Sequence, residues 1–181
     1  MTPVTDPRVT DLMPRLGKYS SALYLLWQAG FLADDEFKPA VGTLIRQATE
    51  TRLFHLTTDY RSRDAEEALA NQNLSTPAQY HRWCVKHLRH EHIVPTSVVL
   101  QVLRAIPDLS ANTIADVLLR YRYRATITPA EDKKLRECGL TQKMPPDFWE
   151  PTSALYDDPC ARYVVAGLNL GLVPRTGATW L

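Results

Sequence analysis

The sequence predicts a mainly α-helical globular domain with a small central two-stranded β element and an irregular C-terminal tail. Three observations favour this fold class. Apolar residues recur at helical spacing in several segments, which are bounded by capping residues, glycine or proline. Two short segments, 90–95 and 124–128, look extended instead. The tail, residues 144–181, contains Pro145, Pro146, Pro151, Pro159 and Pro174.

The first half of the chain is expected to be helical after an irregular N-terminal arm. Residues 1–17 carry three prolines and Gly17, and are therefore assigned to the arm. Helices are predicted over 18–31, 36–54 and 64–70, and a fourth is predicted from the cap at Ser75-Thr76-Pro77 to about Arg89. Gly30 ends the first of them, and Thr76 caps the fourth, just before Pro77. Residues 18–143 would together form one helical core domain.

The second half continues with helices over 98–106, 111–120 and 129–138, and a short one near 159–168. The clearest local signal is Thr128-Pro129-Ala130-Glu131, which matches a capping box with proline at the first helical position. If segments 90–95 and 124–128 pair as strands, this capped helix completes a ββα-like arrangement. The tail, 144–181, is expected to pack on the core through its aromatic residues.

Composition excludes several classes of protein. The chain has 181 residues, 45% of them hydrophobic and 23% charged, which is typical of a globular protein and not of a disordered or fibrous one. Its cysteines, Cys84, Cys138 and Cys160, form no C-x-x-C pair, which argues against a four-cysteine zinc site and against a disulfide scaffold. The longest apolar stretch is too short to cross a membrane. A reduced, cytoplasmic protein without a membrane partner is expected.

Positive charge is concentrated in the middle of the chain. Residues 79–143 contain 11 Lys/Arg and 6 Asp/Glu, whereas the segments on either side each carry a net charge of −2. DNA or RNA would be attracted to such a block. The candidate phosphate contacts are Lys86, Arg89, Arg120, Arg122 and Arg124. The last three alternate with tyrosines that could stack on bases, or could instead form the inner face of a half-buried strand.

One short segment concentrates the residues that chemistry would need. Glu91 and His92 directly precede the β-branched pair Ile93-Val94. In the ββα-like arrangement they would lie beside Glu131 and Asp132, in the first turn of the capped helix. Carboxylates of this kind hold Mg²⁺ or Mn²⁺, and an imidazole beside them can take a proton from water. A metal ion there would stabilise charge on a phosphate in the transition state.

The segment Glu91-His92-Ile93-Val94-Pro95 resembles the first strand of the ββα-metal (HNH-type) endonucleases. The resemblance implies that His92 is the general base and Glu91 a metal ligand. It also implies that Asp132 is the ligand on the helix, with Glu131 as a substitute. This chain departs from the family in the long segment between its two strands, and no histidine follows His92. The implied function is a metal-dependent endonuclease, or a degenerate relative that binds without cutting.

Two other functions remain open. A non-catalytic DNA-binding regulator could use the same basic block, and residues 98–127 can be interpreted as a helix-turn-helix pair. A protein-interaction or inhibitor module could instead act through the aromatic tail, with Phe148, Trp149, Tyr156, Tyr163 and Trp180 as anchors. The spacing of His81, Cys84, His87 and His90 also permits a zinc site. The simpler interpretation places Cys84 and His87 in the core and leaves the other two histidines partly solvated.

Overall fold

The computed structural model describes residues 7–50 and 58–173, which fold as two compact units. Unit 1 takes its described residues from 7–50 and 96–122, and unit 2 from 58–95 and 123–173. This division differs from the single helical core predicted over 18–143. The chain leaves unit 2 after Pro95 and re-enters it at Tyr123.

Helices dominate the described residues, which confirms the mainly helical prediction. In chain order the α-helices are α1 (Pro7–Gln28), α2 (Lys38–Thr49), α3 (Arg63–Ala70), α4 (Pro77–His87), α5 (Thr96–Arg104), α6 (Ala111–Arg120), α7 (Pro129–Glu137) and α8 (Ala161–Val165). Short 3-10 helices cover Asp35–Phe37 and Pro146–Phe148. The strands are β1 (Tyr60–Ser62), β2 (Arg89–His92), β3 (Arg124–Ile127) and β4 (Leu170–Leu172).

Unit 1 is helical, with α1 packed on α2 and α6, and α5 packed on α2 and α6. The prediction of an irregular arm over 1–17 is corrected, because α1 begins at Pro7 and runs through Pro14. Proline is tolerated at the first position of a helix, so Pro7 is compatible with this start. Leu12, Leu16 and Leu23 are buried at helical spacing, and their burial outweighs the local cost of Pro14. Residues 1–6 lie outside the described residues.

Unit 2 is built on a four-stranded mixed sheet with the order β2-β3-β1-β4. The predicted pairing of β2 with β3 is present and antiparallel, with Arg89 opposite Ile127 and His92 opposite Arg124. The sheet is larger than the predicted two strands, because β1 pairs parallel to β3 and β4 pairs antiparallel to β1. Both added strands have only three residues, too few to show an alternating pattern in the sequence.

The C-terminal segment supplies α8, which lies within the short helix predicted near 159–168, and also β4, which was not predicted. Tyr163 and Leu168 pack in the core of unit 2, which is formed by Ile93, Ala125, Ile127, Leu135, Leu140, Tyr163 and Leu168. Phe148 is also buried, whereas Trp149 and Tyr156 are exposed. Trp180 lies outside the described residues. The tail therefore divides into aromatics that build unit 2 and aromatics that face solvent.

Candidate functional site

Glu91, the predicted metal ligand on the first strand, is the counter-ion of a buried arginine. Its Oε2 lies 3.1 Å from Nη2 of Arg162, and its Oε1 accepts a hydrogen bond of 2.5 Å from the hydroxyl of Tyr163. The side chain of Arg162 is 1% exposed and that of Glu91 is 21% exposed. Both oxygens of Glu91 thus have partners within unit 2. This carboxylate balances a buried charge, and such a charge is costly without a partner.

The guanidinium of Arg162 joins three parts of unit 2. Besides Glu91, it donates hydrogen bonds of 2.6–3.3 Å to the backbone carbonyls of His92, Ile93, Leu140 and Thr141. Its Nη2 also lies 2.8 Å from the hydroxyl oxygen of Tyr163. Burial raises the pKa of Tyr163 well above the usual value, so its phenol stays neutral and donates to Glu91. The network fixes the end of β2 against the loop after α7 and against α8.

His92, the predicted general base, contacts the guanidinium of Arg124. Its Nε2 lies 2.8 Å from Nη2 of Arg124. A guanidinium only donates hydrogen bonds, so Nε2 of the neutral ring accepts and Nδ1 carries the proton. The lone pair that a general base would use is therefore directed at an arginine. In this arrangement His92 is not poised to take a proton from water.

Arg124, predicted to contact phosphate, is only 6% exposed. Its backbone N–H donates to Oδ2 of Asp59 over 3.0 Å, and its side chain contacts His92. A guanidinium buried to this extent does not present a surface to a nucleic acid. The prediction for Arg124 is therefore corrected, and the interpretation of 124–127 as a buried strand is favoured.

Glu131 acts as a helix cap in the structure. Its Oε2 accepts hydrogen bonds from the backbone N–H of Thr128 over 2.8 Å and from the Thr128 hydroxyl over 2.9 Å. The same oxygen accepts from the hydroxyl of Ser62 over 2.6 Å, and Ser62 in turn caps α3. Because β1 and β3 are parallel neighbours, Ser62 and Thr128 lie at the same edge of the sheet. One buried carboxylate therefore stabilises the starts of two helices.

Asp132, the remaining predicted ligand, pairs along its own helix with Arg136 over 2.8 Å. The register of the sheet separates it from His92. His92 is opposite Arg124, the first residue of β3, whereas α7 begins beyond the last residue of that strand. Three strand residues span roughly 10 Å. The antiparallel pairing thus places the imidazole and the start of the capped helix at opposite ends of β3.

The described residues do not fit a divalent metal ion. No group of three or more His, Cys, Asp or Glu side chains within 7–50 and 58–173 is arranged to hold one. Glu91, Glu131 and Asp132 are each engaged in a different contact. Among the described residues, the carboxylates expected to hold Mg²⁺ or Mn²⁺ are therefore not brought together.

The remaining candidate phosphate contacts divide between the two units. Arg120 and Arg122 belong to unit 1, where the guanidinium of Arg120 lies 5.7 Å from the ring centroid of Tyr121. Arg122 donates a hydrogen bond of 2.6 Å to the carbonyl of Leu119, at the end of α6. Lys86 and Arg89 belong to unit 2, and both are exposed. Of the five predicted cations, these two lie close in sequence on an exposed surface of one unit.

Lys86 lies on an outward face of α4 that the sequence interpretation only partly identified. Arg82 and Lys86 are exposed and four residues apart, so they form one row along the helix. Trp83 and His87 form the adjacent row, with ring centroids 4.9 Å apart and planes inclined by 28°. Arg89, also exposed, is the first residue of β2, two positions after α4 ends. We call this set the basic α4 surface: Arg82, Trp83, Lys86, His87 and Arg89.

The other side of α4 anchors the helix in unit 2. Cys84 is buried in a small apolar cluster, against which Trp83 and Tyr80 pack; its buried members are Ala65, Leu69, Cys84 and Leu88. Burial raises the pKa of the Cys84 thiol to about 11, so it remains a protonated, apolar side chain at neutral pH. Thr76 caps the helix by accepting a hydrogen bond from the N–H of Gln79. The basic α4 surface therefore lies on a capped helix whose other side is buried in unit 2.

No acidic residue moderates the charge along this segment. Residues 68–90 contain Arg82, Lys86 and Arg89 but neither Asp nor Glu. Among the residues that the structure describes, Arg82 and Lys86 take part in none of the ion pairs. Part of this charge has a local role, since Lys86 lies in the last turn of α4, where the helix dipole stabilises a cation. Arg82 and Arg89 lie outside that last turn.

The sequence interpretation missed Arg82 and assigned His87 to the core. His87 is exposed, whereas Cys84, which was assigned to the same inward side, is buried. The signal that indicates the surface is the pair of four-residue spacings, Arg82 to Lys86 and Trp83 to His87, offset by one residue. That offset places a row of cations beside a row of rings.

Within the described residues, none of the helices combines the length and the apolar character that crossing a membrane requires.

Comparison with known proteins assigns no family to this chain. No protein-family model, curated protein or solved structure gives a significant match to this chain.

Proposed function

We propose that this protein binds nucleic acid without cutting it, through the basic α4 surface of unit 2. The observation that carries the proposal is the row of exposed cations Arg82 and Lys86, with exposed Arg89 at the start of β2, in a segment of 23 residues without a carboxylate. Lys and Arg side chains supply the phosphate contacts on which most affinity for nucleic acids depends. This choice corresponds to the binding module among the functions that the sequence left open.

The contacts of the other candidate residues favour binding over catalysis. Glu91, Glu131 and Arg124 are occupied by interactions that hold unit 2 together, and His92 faces Arg124. An HNH-like nuclease stays a prediction, but it lacks a metal-binding group in the described residues. A cytoplasmic location also stays a prediction.

The interaction module retains one supporting observation. Trp149 and Tyr156 are 41% and 52% exposed, so two of the tail aromatics face solvent as an interface would require. The three cations of the basic α4 surface favour a polyanion, which makes nucleic-acid binding the first proposal.

Replacing both cations of the row, Arg82→Gln/Lys86→Gln, is expected to weaken binding of nucleic acid about tenfold at low salt, because two phosphate contacts are removed. Glutamine is a good helix former, so α4 should keep its structure. The measurement is the fluorescence anisotropy of a labelled oligonucleotide titrated with wild type and variant. Circular dichroism confirms that both are folded.

The matched control is Lys133→Gln/Lys134→Gln on α7. It removes the same charge from two exposed lysines of unit 2, in a helix that also carries Asp132 and Glu137. We expect this control to bind like wild type. An equal loss of affinity in both variants would mean that net charge alone governs binding. It would contradict the proposal that the basic α4 surface is the binding surface.

A further inference from the structure

We infer that the nucleic acid bound at the basic α4 surface is single-stranded, and that one of its bases stacks on the imidazole of His87. This inference rests on the proposed function and names the class of nucleic acid at the same site. It starts from the row of rings, Trp83 and His87, which phosphate binding alone does not require.

The two rings form a supported platform. Trp83 is half-buried against the apolar cluster around Cys84 and Leu88, so one side of the indole is held in place. The imidazole of His87 stacks on the indole at 4.9 Å, and His87 itself is exposed. A planar ring fixed from below and open to solvent above suits a stacked base. Such stacking tolerates any sequence, because every base has a π face.

The cations lie where the backbone of a stacked nucleotide would need them. Arg82 and Lys86 occupy the row next to Trp83 and His87 along the same helix, and Arg89 follows after the helix ends. A single-stranded nucleic acid running along α4 could therefore contact the cations with its phosphates and stack a base on the rings of Trp83 and His87. A positively charged surface combined with an aromatic platform is the common design of proteins that bind single strands.

A duplex would not use the platform. Paired bases are already stacked on one another and expose only their edges in the grooves. The ring row therefore favours an unpaired base.

The test compares oligo-dT, oligo-U and a DNA duplex of equal length, binding to wild type, His87→Ala and His87→Phe. Wild type should bind at least one of the single strands more tightly than the duplex. His87→Ala should weaken that single-strand binding about tenfold and leave duplex binding unchanged. His87→Phe keeps a flat ring and should restore most of the affinity. The two single strands decide between DNA and RNA as the ligand.

The outcomes separate this inference from the proposed function. If Arg82→Gln/Lys86→Gln weakens binding but His87→Ala does not, or if the duplex binds more tightly, the stacking inference is wrong and the phosphate-binding surface stands. If His87→Ala weakens single strands and duplex equally, the imidazole acts without discrimination and the inference is again overturned. If wild type binds none of the three probes at low salt, both proposals fail.

Discussion

Replacing Arg162 with methionine is expected to lower the free energy of unfolding by about 3–5 kcal/mol, the largest effect that we predict for a single substitution. Methionine fills a similar length but donates no hydrogen bond. The change would leave Glu91 without its cation and remove every side-chain donor that Arg162 offers to the carbonyls of His92, Ile93, Leu140 and Thr141. Urea denaturation followed by circular dichroism measures the loss.

Two variants make this result specific. Arg136→Met removes an exposed arginine whose described contact is one ion pair with Asp132, and it should cost about 1 kcal/mol at most. The double variant Arg162→Met/Glu91→Leu should recover part of the stability lost in Arg162→Met, because it also removes the unpaired carboxylate. If Arg162→Met were no more destabilising than Arg136→Met, the hydrogen-bond network around Arg162 would not stabilise unit 2.

Replacing Glu131 with alanine is expected to cost about 2–3 kcal/mol of stability, because the change breaks the capping box of α7 and the hydrogen bond to Ser62 that supports α3. Glu131→Gln should cost less, since its amide oxygen can still accept from Thr128. Thermal denaturation of the two variants and wild type provides the comparison.

The neighbouring Asp132→Ala provides the control and the contrast with a metal site. Asp132 makes one ion pair along the surface of α7, so its loss should cost about 1 kcal/mol at most. If the two carboxylates were instead equivalent metal ligands, both substitutions would have small and similar effects on the metal-free protein. Equal stability losses for Glu131→Ala and Asp132→Ala would therefore contradict the capping role.

Local signals allowed several elements to be predicted from the sequence. The capping box at Thr128 and Glu131 is a pattern of four consecutive residues, and α7 begins where that pattern places it. The pairing of β2 with β3 and the start of α4 at Pro77 were likewise predicted from short segments. In each case the residues that determine the element lie within a few positions of it.

The part of the candidate site that depends on distant residues could not be predicted. The role of Glu91 is set by Arg162, which lies 71 positions later and joins it only when α8 packs in unit 2. When only the local sequence is considered, Glu91 and His92 before the pair Ile93-Val94 suggest a catalytic or metal-binding site. The same holds for Arg124, whose alternation with tyrosines suggests exposure, although the strand that contains it lies inside the sheet between β2 and β1.

The exposure of His87 shows a limit of helical periodicity. His87 is three positions after the buried Cys84, which would favour the same face in the middle of a long helix. Here it is the last residue of α4, and Leu88 continues in an extended conformation into the sheet. The chain therefore leaves the helical path directly after His87. Leu88 takes the buried position and His87 remains on the outside.

The salt dependence of oligonucleotide binding tests the central claim most directly, namely that Arg82, Lys86 and Arg89 bind phosphates. Between about 50 and about 200 mM salt, three such contacts predict a slope of log affinity against log salt of about −2 to −3 for wild type. For Arg82→Gln/Lys86→Gln the slope should fall to about −1. Equal slopes for the two proteins, or an affinity of wild type that does not change with salt, would contradict the claim.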